Sequence, residues 1–172
     1  MDMAIRRAVL IGSLVVLAVL VEVSLLAPLS WWAATPPLAL VVVAAVSFVF
    51  GSVTGAVTGF ATGLILDLAP PAVGTVGASA LILTLIGYGL GRVFDSDERP
   101  WPITTALTAL AGGVAVVAAA VLGGLLGDSR VRWEEVPSMT VAAAVYAGVL
   151  ALVVVPLVRW VSRRVVPEAF PR

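Results

Sequence analysis

The chain contains no cysteine, no histidine and no lysine. The first two absences exclude disulfides, thiol nucleophiles, imidazole bases and the usual zinc ligand sets. The third leaves arginine as the only cationic side chain, and 10 arginines balance 10 acids to a net charge of zero. No basic field for nucleic acid exists. Charge is scarce altogether, at 12% of residues against 61% hydrophobic, with a mean hydropathy of +1.14. A soluble domain of 172 residues has too little polar surface to cover that much apolar matter. The composition defines an all-α integral membrane protein, with one transmembrane domain over residues 1–172.

The apolar runs predict a six-helix bundle with spans at about 8–28, 37–50, 53–68, 75–92, 103–126 and 139–160. The basic start MDMAIRR followed by an apolar run also fits a secretory signal. The run from Ala8 to Ala27 is long enough to cross, however, and no A-x-A-like cleavage site follows it. It is read as an uncleaved first helix. Residues 38–68 carry no charge before Asp67. At about 46 Å as one helix they are too long for a single ordinary crossing. The Gly51-Ser52 break suggests two short helices folded back on each other, and a re-entrant hairpin is the other possibility.

Charge placement favours two crossings. With six spans one face holds Arg6, Arg7, Arg92, Arg99, Arg159, Arg163, Arg164 and Arg172, and the other only Arg130 and Arg132. One crossing over 38–68 would split the same arginines four against six. Cytoplasmic loops carry the arginine excess. Both termini are therefore expected in the cytoplasm, with loops near Trp31, Pro70 and Trp133 outside.

The segment GSVTGAVTGFATGLILDL repeats glycine every four residues, at Gly51, Gly55, Gly59 and Gly63, and Asp67 continues the register. Thr54, Thr58 and Thr62 form a parallel row. On a helix this is a groove without side chains, rimmed by hydroxyls. Lipid supplies no hydrophobic drive for helix pairing, so close backbone approach must supply it. The ladder places this helix at the centre of the bundle, or alternatively at a homodimer seam. Gly112-Gly113 and Gly123-Gly124 mark the fifth span as a second close-packing or bendable helix.

Two acids lie in or beside apolar spans. An ionised acid near the bilayer centre costs ~2.5–3.5 kcal/mol, so Glu22 and Asp67 are candidates for function. The plainer reading gives Glu22 hydroxyl partners or a proton. It lets Asp67 accept backbone N–H groups from the Ala69-Pro70-Pro71 turn or the next helix start. Their similar depth also permits contact between them. GYGLGR has the GxGxxG spacing of a nucleotide loop, but it follows no strand and is rejected as one.

The order of these features resembles the MreD family of rod shape-determining proteins. The resemblance is strongest from Pro36 to Arg92. It rests on Gly59-Phe60, the run from Gly63 to Asp67, Gly77, and Gly87-Tyr88 through Gly91-Arg92. Where many members carry a His early in the following helix, this chain has Ser79. The resemblance implies a fold similar to the substrate-binding subunits of energy-coupling-factor vitamin transporters. It implies a non-enzymatic, cofactor-free component of the bacterial cell-elongation machinery in the cytoplasmic membrane. Its partners would be a bitopic MreC-like protein and, through it, peptidoglycan synthases and an MreB-like filament. Candidate seams for that partner are the Gly112-Gly113 and Gly123-Gly124 face and the Trp31-Trp32 turn. The alternative is a small-molecule binding subunit of such a transporter. An intramembrane aspartyl protease fits worst, because its Gly-x-Gly-Asp and Tyr-Asp signatures are missing.

Overall fold

The computed structural model describes residues 3–26, 35–69, 76–93 and 100–165. The described residues are all-helical. Helix α1 (Met3–Val21) continues into a π-helical turn, Glu22–Leu26. Then come α2 (Leu38–Phe50), α3 (Ser52–Leu68), α4 (Ala78–Arg92), α5 (Trp101–Leu125) and α6 (Val136–Val165). The first helix thus starts before Ala8, and Arg6 and Arg7 lie inside it.

Three helical stretches are long and apolar enough to cross a membrane: Ala4–Leu26, Trp101–Leu125 and Val136–Val165. The other three hold 13, 17 and 15 residues. At 1.5 Å per residue they reach roughly 20, 26 and 23 Å, short of a ~30 Å hydrocarbon core. Six crossings are expected from the sequence; the described residues hold six α-helices, of which three have full crossing length.

Residues 38–68 break at Gly51, whose φ of +85° is a conformation that side chains resist. The two helices fold back there. Ser47 of α2 and Gly55 of α3, each four residues from the break, meet side chain to backbone.

The centre of the bundle belongs to α2. Every residue from Ala39 to Phe48 is buried, because Leu, Val and Ala occupy all sides of this helix and no face prefers water or headgroups. Its one polar group, the Ser47 hydroxyl, donates to the Val43 carbonyl at 2.7 Å and asks nothing of its neighbours. Leu40, Ala44 and Phe48 share a core with Leu83 and Leu90 of α4 and Ala147 and Val155 of α6. On other sides Ala39 meets Val15 and Val19 of α1, and Val42 and Val46 meet Ala18.

The ladder helix α3 is not central, contrary to expectation. Its glycine face is buried, but Val53 and Val57 on the opposite side are 73% and 65% exposed. A row of glycines marks one face for close approach and says nothing about the rest of the circumference. The uniformly apolar helix goes inside instead. The threonine hydroxyls also behave locally, since Thr62 donates to the Thr58 carbonyl at 2.7 Å.

Candidate functional site

Two short helices begin without a cap of their own. Pro37 precedes α2 and Gly77 precedes α4, and neither supplies a side-chain hydrogen bond to its helix. The first N–H groups of a helix have no intrahelical acceptor, and no water is available to them inside a bilayer. In both cases a carboxylate from the preceding helix takes the place of the cap.

Asp67, in the last turn of α3, accepts from the N–H of Gly77 at 2.8 Å and of Ala80 at 3.3 Å through Oδ2. It also accepts from Ser79 at 3.3 Å through Oδ1. Gly77 can present its N–H this way because it sits at φ +96°. Glu22, in the π-helical turn after α1, accepts from the N–H of Ala39 at 2.6 Å through Oε2. Both acids thus lie at the positive ends of helix dipoles. Among the described residues no hydrogen bond joins the two carboxylates, and no group of three acid, His or Cys side chains could hold a metal.

These capped ends border a cavity of about 440 Å³. Its lining comes from Leu40 of α2, Leu66 of α3, Ile82 and Leu83 of α4, Gly112 and Ala115 of α5, and Met139 and Ala143 of α6. Glu22, Thr35 and Ser79 are its polar lining residues. The walls are apolar, so the cavity suits a small hydrophobic body with one or two hydrogen-bonding points.

Along α3 the glycines make a continuous backbone contact with α4. A Cβ on Gly55 would strike the Gly87 carbonyl, one on Gly59 the Leu83 carbonyl, and one on Gly63 the backbone of Ala80, all closer than 3.0 Å. From the other side Gly87 meets Gly55 and Gly91 meets Ser52. Gly51 stands apart from this face, with nothing within 4 Å of its Cβ position. The Gly87–Gly91 pair has the same i, i+4 spacing as the ladder, and that spacing was the available sign of α4 as its partner.

The fifth-helix glycines face their own chain. Gly112 packs on Ala143 and Ala147, and Gly113 lies beside Thr140, all of α6. Gly123 is met by Val131 and Gly124 by the Trp133 ring, both from the turn before α6. That turn folds back because Gly127, at φ +74°, lets the Asp128 N–H reach the Gly123 carbonyl at 2.9 Å. Of the face proposed from sequence as a partner seam, Gly112 and Gly113 are buried against α6, while Gly123 is half-buried and Gly124 remains exposed beside the turn. Trp31 and Trp32, the other proposed seam, lie outside the described residues.

One residue of the opposite end went unnoticed in the sequence. Arg7 of α1 donates from Nη2 to the Phe50 carbonyl at 3.3 Å and to the Thr54 hydroxyl. Its guanidinium lies 4.7 Å from the centre of the Phe50 ring. It ties α1 to the α2–α3 break.

A bundle of short and long apolar helices, three of them long enough to cross a membrane, joined by backbone contact and capped across turns by acids, has the character of a membrane protein. The family model of the rod shape-determining protein MreD matches residues 3–165. The chain belongs to the MreD family and is a rod shape-determining membrane protein. In comparisons with curated proteins and with solved structures, none matched.

Proposed function

We propose that the protein is a non-enzymatic membrane component of the cell-elongation machinery that acts by holding a bitopic MreC-like partner. Through that partner it reaches peptidoglycan synthases and an MreB-like filament. The observation that carries the reading is the family match over residues 3–165. Family membership places the chain in shape determination, and with so little chain outside its helices, binding must use helix faces and ends. In this reading Glu22 and Asp67 are structural caps, both termini are cytoplasmic, and no cofactor takes part. Co-purification with the MreC-like protein of the same organism tests it, with depletion expected to round the cells. Normal shape on depletion, with no association, overturns it.

The cavity beside Glu22 and Ser79 favours one second reading, a subunit that binds a small molecule for a vitamin transporter. Mass spectrometry of the purified protein separates the two. A stoichiometric vitamin supports the second reading, and lipid alone supports the first.

A further inference from the structure

Between α1 and α3 the bundle leaves an apolar groove of about 610 Å³. Its floor on α1 is the small-residue row Ala4, Ala8 and Gly12, and its opposite wall on α3 includes Val53, Val57 and Ala61. Nothing lies within 4 Å of where a Gly12 Cβ would be. The lining runs from Ala4 to Val16 and from Val53 to Ile65. That is roughly 18 Å on each helix, close to the roughly 15 Å depth of one leaflet's hydrocarbon.

Arg7 also lines this groove, near the end where α3 begins. Its Nη2 is held by the Phe50 carbonyl and the Thr54 hydroxyl and its face rests on the Phe50 ring, which fixes the guanidinium in place. The Nε and Nη1 donors have no protein partner among the described residues, the neighbouring Arg6 is exposed, and no acid lines the groove. A fixed cation with spare donors therefore stands at one end of an apolar trough of leaflet depth.

We propose that this groove seats an acyl chain of an anionic phospholipid, whose phosphate is bound by Arg7. Charge complementarity selects an anionic headgroup. The depth of the trough, about one leaflet, suits a hydrocarbon chain running down from that headgroup. The inference needs only a bilayer around the bundle, so failure of the partner reading leaves it untouched.

The test is native mass spectrometry of the full chain titrated with dioleoyl phosphatidylglycerol or with dioleoyl phosphatidylcholine. The unsubstituted protein should retain the anionic lipid about fivefold more tightly, the effect of one arginine near an anionic surface. Arg7→Gln should abolish the preference and Arg7→Lys should keep most of it. Gly12→Leu, which intrudes on the trough from a position whose Cβ meets nothing within 4 Å, should weaken retention of both lipids. Should Arg7→Gln not fold, the Gly12→Leu variant decides alone. Equal retention of the two lipids by the unsubstituted protein overturns the proposal. So does a Gly12→Leu variant that keeps its lipid but no longer co-purifies with a single-helix partner, because the groove is then a helix seat.

Discussion

Asp67 gathers three backbone N–H groups onto one carboxylate, whereas Glu22 receives one. Hydrogen bonds to a charged acceptor count for more than neutral ones, and donors left unsatisfied in a bilayer cannot turn to water. Asp67→Ala should therefore destabilise the bundle by about 1–3 kcal/mol. Glu22→Gln, which disturbs one donor and keeps an acceptor oxygen, should cost less. Thermal unfolding in detergent checks the order, with Glu134→Ala in the exposed turn as reference. An Asp67→Ala midpoint equal to that reference removes the proposed capping role. Asp67 was legible in the sequence as a cap because the turn and next helix follow it directly. Glu22 was not, because its acceptor role depends on Ala39, 17 residues later, beyond a turn whose path no local pattern dictates.

Among the helices, the α3–α4 pair is the most sensitive to side-chain volume. Gly59→Ala drives a methyl into the Leu83 carbonyl, and backbone cannot swing aside as a flexible side chain can. The expected loss is about 1–3 kcal/mol, against less than about 0.5 kcal/mol for Val57→Ala on the exposed side. Equal folding yield and equal unfolding temperature for the two variants would remove the contact from the argument. The glycine period made this face readable, but not its place in the molecule. Period alone cannot separate a helix tight on one side from a helix enclosed on all sides. The sign of enclosure was elsewhere, in Leu38–Phe50, where only Ser47 is polar and its hydroxyl is satisfied within its own helix.

Across the whole molecule, the described arginines divide between the two ends. Arg6, Arg7 and Arg92 lie at one end with Arg159, Arg163 and Arg164, while Arg130 and Arg132 occupy the α5–α6 turn. In that turn they pair locally, Arg130 with Asp128 at 3.3 Å and Arg132 with Glu135 at 2.7 Å. Exposed pairs of this kind contribute little to stability, so their place reflects solvation more than cohesion. The absence of cysteine makes orientation directly measurable. An impermeant maleimide added to intact cells should label Arg130→Cys and leave Arg172→Cys unlabelled until the membrane is opened. The reverse pattern inverts the orientation, and labelling of both places the termini on opposite sides. Helix number was readable from apolar run lengths and turn residues. The short helices Leu38–Phe50, Ser52–Leu68 and Ala78–Arg92 lie within three residues of the expected 37–50, 53–68 and 75–92.

The cross-helix caps also bear on how the chain enters the membrane during synthesis. Each carboxylate leaves the ribosome before the N–H groups that will receive it, so α1 and α3 each emerge carrying an acid whose partner is not yet made. Until the partner arrives, the unpaired charge opposes partitioning, by ~2.5–3.5 kcal/mol were it at the bilayer centre and by less toward a helix end. Each acid-bearing helix and the short helix after it should therefore pass into the lipid as a pair. A chain arrested with residues 1–35 outside the ribosome should integrate poorly, and one extended through residue 50 should integrate well. A Glu22→Leu variant should integrate at either length. Equal integration of the two lengths with Glu22 in place would show that the acid does not delay the first helix.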